Sequence, residues 1–192
     1  MGGRALMRIC VFCGSSTGNG ERYLEVATEL GKTLAAKGIG LVYGGASIGT
    51  MGAVADGALA GGGEVIGVIP DHLVSVEISH SGLSELQQVP DMHVRKARMA
   101  ELSDGFMVLP GGIGTLEEFF EVWTWGQLRL HEKPIGLVDV DGFYTHLLRF
   151  ADHMVEQGFL RQKHREMLLV DPDPAVLVDK FTDYAPPEGK FA

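Results

Sequence analysis

Short apolar runs alternate along this chain with longer amphipathic stretches, and that alternation is what most restricts the folds open to it. The runs lie at residues 7–13, 39–43, 64–69, 85–89, 105–109, 134–138 and 167–170. Helical spacing of apolar residues marks 21–37, 51–60, 92–103, 116–130, 143–157 and 174–181. Strand, helix, strand, repeated, implies parallel strands joined by crossover helices, and such sheets bury both faces. The expected class is therefore α/β, a doubly wound parallel sheet with helices on both faces. At 192 residues with no shift in composition, one domain is expected over 1–192. Residues 1–6 and 185–192 read as loose ends.

Charge removes several functions. Lys plus Arg number 16 against 25 Asp plus Glu, a formal net charge of −9. Binding to a nucleic-acid backbone needs basic surface, so it is not expected. Asp56 and Glu64 interrupt the most apolar-looking stretch, so no membrane span is expected. The opening "MGGRALMRICVFC" has too short an apolar run for a signal-peptide core, and Leu6 stands where a myristoylation signal wants Ser or Thr. The protein is expected in the cytoplasm. Cys10 and Cys13 allow a redox or metal reading. Strand alternation would send the two thiols to opposite faces, and no second such pair exists, so core thiols are the expectation. His72, His80, His93, His131, His146, His153 and His164 show no ligand-like spacing. No metal and no cofactor are expected.

In open parallel sheets the ligand sits outside the carboxyl ends of the strands. Three glycine-rich turns fall at those ends: "CGSSTGNG" with Gly14 and Ser15, "YGGASIGTMG" with Gly44 and Gly45, and "PGGIGT" with Gly111, Gly112 and Gly114. The dinucleotide fingerprint is absent. Gly112-x-Gly114 is followed by Glu117 rather than glycine, and the second strand ends at Tyr43-Gly44 without a carboxylate for ribose. Gly49-Thr50 lacks the lysine of an ATPase phosphate loop. What remains is a small anion or mononucleotide. The 44–52 loop opens a helix without charge before Asp56, so it can offer backbone N–H groups to an anion without electrostatic conflict. The 110–115 turn opens a helix carrying Glu117, Glu118 and Glu121. One reading makes Thr115-x-x-Glu118 a capping box with acids suited to the macrodipole. The other makes the carboxylates functional. Arg95, Lys96 and Arg98, in "HVRKAR", stand near a helix start, where cations oppose the macrodipole. Either they form a solvated face or they meet an anion.

The stretch Pro110-Gly111-Gly112-Ile113-Gly114-Thr115-Leu116-Glu117-Glu118 resembles the PGGxGTxxE motif of the LONELY GUY family, the cytokinin riboside 5′-monophosphate phosphoribohydrolases often mislabelled lysine decarboxylases. "VFCGSS", "VYGGASIGTMG", "MHVRKARM" and "TWGQLRLHEKPIGLVDVDGFY" resemble further family segments, in family order, over roughly residues 8–170. The family usually shows a glycine where Ala46 stands. The resemblance implies a Rossmann-like fold and hydrolysis of the N-glycosidic bond of a nucleoside 5′-monophosphate, giving free base and ribose 5-phosphate. It implies that Glu118 and Arg95 are the catalytic pair. It places Glu77, Lys96, the turn from Gly112 and Ile113 through Gly114 and Thr115, Glu117 and Thr124 at substrate-contacting positions. Gly111, Leu116 and the earlier turns (Gly14, Ser15, Gly44, Gly45) complete the expected site. Arg98 lies at a variable position and stays outside it.

On that assignment the glycine turn holds the phosphate, while Glu118 stabilises the cationic sugar or activates water and Arg95 supports the leaving base. A non-catalytic nucleotide sensor or carrier would keep the loops without needing Glu118 with Arg95. A lysine decarboxylase would need a Schiff-base lysine in a pyridoxal phosphate pocket, and Lys96 is the only lysine near the turns. Leu116, Phe119, Phe120, Val122, Trp123, Trp125, Leu128 and Leu130 go almost round one helix. Such a helix is either deeply buried or shared in a two-fold dimer, which the resemblance also implies; the site would then lie near the interface.

Overall fold

The computed structural model describes residues 8–74 and 80–189. Seven parallel strands form one sheet: β1 (Arg8–Phe12), β2 (Gly40–Tyr43), β3 (Val65–Pro70), β4 (Glu85–Val89), β5 (Gly105–Val108), β6 (Ile135–Val138) and β7 (Leu168–Asp171). Their order is β4-β3-β2-β1-β5-β6-β7. The chain winds outward from β1 in one direction, then returns to β1's other side at β5 and winds the opposite way. The sheet is thus doubly wound, as the alternation implies. β1 is central, with Cys10 opposite Val42 on one side and Phe106 on the other. β4 is an edge and reads as one: its sequence ELQQV buries fully only Val89.

Helices α1 (Glu21–Ala36), α2 (Gly49–Ala60) and α7 (Pro174–Thr182) pack on one face. Helices α3 (Met92–Glu101), α4 (Ile113–Gln127) and α5 (Thr145–Glu156) pack on the other. A single turn, α6 (Gln162–Arg165), precedes β7 and had no periodic signature. Alternation along β1 sends Ile9, Val11 and Cys13 to the first core and Cys10 and Phe12 to the second. The two cysteines are free and buried, on opposite faces. Among the described residues no helix is long and apolar enough to cross a membrane. Residues 185–189, expected as a frayed end, are tied to the body. Arg129 donates to the Pro187 carbonyl at 3.1 Å, and Lys163 approaches Glu188 at 3.5 Å.

Seven of the twelve residues of α2 are glycine or alanine, and it lies unusually close to α1. A Cβ on Gly57 would stand 2.3 Å from the Thr28 carbonyl oxygen, and one on Gly31 would stand 2.1 Å from the Val54 oxygen. Neither neighbour is a movable side-chain tip. This close approach fixes where α2 begins, and hence where the turn before it meets the turn after β1.

Gly57→Ala should therefore destabilise the protein although alanine is the better helix former. Propensity favours alanine by at most about 1 kcal/mol, while overpacking against backbone costs about 1–3 kcal/mol. Urea denaturation should show a lower midpoint at unchanged slope. An unchanged midpoint would mean that the bare glycine does not set the α1–α2 spacing.

Candidate active site

β1 has neighbours laid down in opposite directions, so the connections leaving β1 and β5 diverge and open a crevice at their carboxyl ends. A cleft of about 460 Å³ lies there, within the usual range for small-ligand sites. Its wall includes Gly14, Ser15, Ser16 and Thr17 after β1, Gly44 after β2, and Gly111, Gly112, Gly114 and Thr115 after β5. Arg95, Glu117 and Glu118 complete its charged lining. Arg95, Glu118 and most of the turn residues singled out in the sequence thus line one cleft.

The three turns do different work. α2 begins at Gly49, but its first N–H groups are already used. Thr50 N–H donates to Ser16 O at 3.4 Å and Met51 N–H to Gly14 O at 3.1 Å. Gly14 N–H in turn donates to Thr50 Oγ1 at 3.0 Å, and that hydroxyl donates back to Gly14 O at 3.1 Å. The N–H groups of Thr50 and Met51 in the 44–52 loop are thus not offered to an anion: they bind the turn after β1. Gly49, at φ 63°, takes the left-handed backbone that lets the two turns touch, and a Cβ there would stand 2.3 Å from the Ser15 carbonyl carbon.

The turn after β5 is the open one. α4 starts at Ile113, with Gly112 as its N-cap and no side-chain cap. Thr115 is therefore inside the helix and the capping box with Glu118 does not form. The cause is Gly111: Thr115 packs where a Cβ of residue 111 would fall, 2.2 Å from Thr115 Oγ1. The early start moves the acids inward, so no acid lies in the first turn. The initial N–H groups of a helix have no intrahelical acceptor. Here Gly112, Ile113 and Gly114 are exposed, and Cβ atoms on Gly112 and Gly114 would meet no protein atom within 4 Å. Tyr144 secures the base of the turn, its hydroxyl donating to Leu109 O at 2.6 Å.

Arg95 and Lys96 resolve the broken macrodipole rule. Asp91 caps α3, its carboxylate accepting from His93 N–H and Val94 N–H, which compensates the helix start. Arg95 then turns under the sheet edge. Its Nε donates to Val68 O at 3.0 Å and its Nη2 to Gly44 O at 2.9 Å, while Nη1 lies 3.7 Å from Met92 Sδ. Gly44 is glycine for this reason: a Cβ there would stand 2.3 Å from Arg95 Nη2. Lys96 points instead toward α4. Its Nζ pairs with Glu117 Oε1 at 2.5 Å and Glu121 Oε2 at 3.0 Å. Burial disfavours its charge, but the hydrogen bonds it donates to Glu117 and Glu121 prevail and hold its pKa above the ordinary lysine value. Arg98 faces away, bonded to Gln87 and Glu101.

Glu118 reaches toward β1. Burial pushes the Cys10 and Cys13 thiols well up, and the negative charge of Glu118 adds to the effect while Arg95 opposes it. Several expected contacts fall outside the cleft wall: Gly45, Lys96, Ile113, Leu116 and Thr124. Thr124 is exposed on α4, its hydroxyl donating to Phe120 O. Glu77 lies outside the described residues. Sequence reasoning missed Thr17, Tyr23, Leu73, Met92 and Phe143 in the wall. Of these, Thr17, Met92 and Phe143 stood within quoted segments. Among the described residues no group of three or more His, Cys, Asp or Glu could hold a metal ion.

Comparison with known proteins followed the same lines. Residues 51–181 match the family model described as "Possible lysine decarboxylase". The chain is 51% identical to probable cytokinin riboside 5′-monophosphate phosphoribohydrolase LOGL2 of Oryza sativa subsp. japonica, over 95% of this chain and 75% of that one. It is 50% identical to cytokinin riboside 5′-monophosphate phosphoribohydrolase LOG1 of Arabidopsis thaliana, over 96% and 87%. Among solved structures, a molybdenum cofactor carrier protein of Chlamydomonas reinhardtii superposes with a TM-score of 0.71 at 24% identity, covering 94% of this chain and all of that one. That likeness is one of fold.

Thr50→Val should cost about 1–3 kcal/mol, because it leaves Gly14 N–H without its acceptor. Thr50→Ser, which keeps the hydroxyl, should recover most of that in the same denaturation experiment. Equal losses for both would mean that the methyl group, not the hydroxyl, joins the two turns.

Proposed function

The chain belongs to the cytokinin riboside 5′-monophosphate phosphoribohydrolase family, and from that premise we propose that it is an enzyme that hydrolyses the N-glycosidic bond of nucleoside 5′-monophosphates of the cytokinin or AMP type. Free base and ribose 5-phosphate are the products. The observation that carries the reading is the separation inside one cleft between an uncapped helix start and the Glu118 carboxylate, with the Arg95 guanidinium in the same wall. Glu118 stands six residues beyond Gly112, roughly 9 Å along the helix axis at 1.5 Å per residue.

The phosphate lies on the amide groups of Gly112, Ile113 and Gly114, where the positive end of α4 favours an anion. Gly111, Thr115 and the hydroxyls after β1 flank it. The ribose then lies over the second turn of α4. As the C–N bond breaks, positive charge grows on the sugar, and Glu118 stabilises it and orients the attacking water. Glu117 hydrogen-bonds ribose hydroxyls from the same turn. Arg95 is already aimed by Val68 O and Gly44 O, so it meets the developing negative charge of the leaving base without reorganising. A guanidinium does not give up its proton at working pH, so Arg95 acts by charge and hydrogen bonding.

Decarboxylation through a pyridoxal Schiff base fits less well. A lysine that attacks a carbonyl must lose its proton readily. Lys96 is held charged between two carboxylates and stands outside the cleft wall.

The active unit is a two-fold dimer built on the outer side of α4. Phe119, Val122 and Trp123 face the sheet, so α4 is buried on one side only. Its other side leaves Ile113 89%, Phe120 37% and Leu128 39% exposed. Thr124 lies on that side, which brings it to a site shared by two chains.

Glu118→Gln and Arg95→Ala should each slow adenine release from AMP by about 10²-fold or more, the scale of losing a transition-state contact, with the circular dichroism spectrum unchanged. Near-normal turnover in either variant removes its role. A panel of monophosphates, with unphosphorylated nucleosides as control, tests the substrate class: AMP bound without base release favours a carrier. Light scattering at micromolar concentration should give twice the 20.7 kDa of one chain, and Phe120→Glu should return it to one. A single-chain mass for the unaltered protein ends the dimer proposal.

A further inference from the structure

Two carbonyl oxygens, those of Val68 and Gly44, hold the Arg95 guanidinium, and beside them stands an acceptor of another kind: Nη1 donates to the Met92 thioether at 3.7 Å. A thioether is a weak acceptor. Met92 and Arg95 are three residues apart on α3 and so share one face of it. Both line the cleft. Met51, Met99, Met107 and Met167 are buried, whereas Met92 and Met154 are partly exposed. Met1 and Met7 fall outside the described residues. Of the two partly exposed thioethers, Met92 belongs to the cleft wall, and Met154 packs on α5 against the core.

We propose that Met92 is an oxidation site through which hydroperoxides suppress the reaction: its sulfoxide captures the Arg95 guanidinium that the leaving base needs. This rests on the reading of Arg95 as the group that meets the leaving base. The step is a two-electron oxygen transfer. A lone pair of the thioether sulfur attacks one oxygen of hydrogen peroxide. An S–O bond forms and the O–O bond breaks. The proton on the transferred oxygen passes to the departing one, which leaves as water. Sulfur is oxidised by two electrons and the peroxide is reduced by two. A cleft that admits a nucleotide admits so small an oxidant. The Cys13 thiol lines the same cleft, but peroxide attacks thiolates. Burial pushes that thiol far up, so it stays protonated.

The product changes the surroundings of Arg95 in kind. Oxidation turns an apolar side chain into a polar one, with a strong acceptor oxygen one bond beyond the sulfur where a weak acceptor stood. That oxygen takes the Nη1 hydrogen more firmly. Arg95 must then give up this bond before it meets the negative charge of the departing base, and the advantage of its fixed aim is lost. The amides at the start of α4 belong to another helix and are untouched. The loss therefore falls on kcat and not on the grip of the phosphate. Reduction of the sulfoxide to the thioether reverses it.

The test treats the full-length protein with hydrogen peroxide and removes the excess with catalase. It then reads the oxygen added at each methionine by peptide mass, the AMP turnover, and the Kd for ribose 5-phosphate. Met92 should gain one oxygen before the buried methionines do. As it does, kcat should fall at least about tenfold, the scale of a misplaced catalytic group, while the Kd stays within about twofold. Methionine sulfoxide reductases for both epimers should restore kcat. Met92→Leu keeps the volume but carries no sulfur. Whatever its starting turnover, peroxide should lower it less than about twofold by the same comparison, whereas Met154→Leu should stay as sensitive as the unaltered protein. Full turnover with Met92 converted to sulfoxide would overturn the proposal. So would a Met92 that stays unmodified, or an equal peroxide loss in Met92→Leu. Should Met92→Leu fail to fold, the reductase arm decides: kcat that does not return as the Met92 oxygen is removed sinks the idea. If the unaltered enzyme released no base from any monophosphate, the reading of the reaction itself would fall, and the mass reading at Met92 would stand apart from that result.

Discussion

The sheet has one place where neighbouring connections part, between β1 and β5, and the site depends on that divergence. Every other pair of adjacent strands is connected in the same sense, so their turns crowd together. At β1 and β5 the turns are pushed apart, and two backbone segments face each other across open space. What lines that space is settled by packing behind it. The close α1–α2 approach at Gly31 and Gly57 brings the start of α2 onto the turn after β1, and Thr50 joins the two through a reciprocal hydrogen bond with Gly14. One rim of the cleft is thereby closed off electrostatically, its helix amides already satisfied. The other rim, at α4, is left with its amides pointing outward.

Charge is arranged around this asymmetry. The chain as a whole is acidic, yet the cleft holds a buried arginine with its guanidinium fixed by two carbonyl oxygens. The cations of α3 stand near a helix start, where the backbone dipole disfavours them by a few tenths of a kcal/mol or more each. Asp91 offsets part of that cost by capping the helix. The remainder is met by tertiary contacts: Arg95 against the ends of β2 and β3, Lys96 against α4. A rule of local electrostatics is broken twice in succession because two adjacent side chains of α3 serve two different neighbours.

Periodicity revealed nearly all of the fold. Every strand and long helix was legible, because a strand buried on both faces must be a short apolar run and a covering helix must be amphipathic. Helix ends were less legible. α4 was expected to open after Thr115, since Thr-x-x-Glu has the form of a capping box. The true start depends on Thr115 packing over Gly111, a fit that no propensity encodes. The single turn α6 was too short to show a period. The tail at 185–189 has few apolar residues and reads as loose, yet Arg129 and Lys163 reach it from distant positions. Around the cleft, the three glycine turns lie together as their positions after the strands imply, but the 44–52 loop makes contacts that its sequence does not announce. The glycines of the 44–52 loop looked like anion ligands. Gly44 instead makes room for a guanidinium 51 positions away, and Thr50 binds a turn 36 positions away. Contacts of that range lie beyond any window in which a sequence pattern is read.

The proposed phosphate seat at the start of α4 also accounts for how an acidic protein would hold an anionic substrate. A net charge of −9 repels a phosphate at long range, but at physiological ionic strength such repulsion fades within about 8 Å. Inside that distance the local groups decide. At the tip of α4 these are fixed amide dipoles, which need no counter-ion and leave the nearby carboxylates free to remain charged. On the proposed reading, neutral donors at the helix start keep a phosphate seat and an anionic sugar seat a turn and a half apart without either cancelling the other.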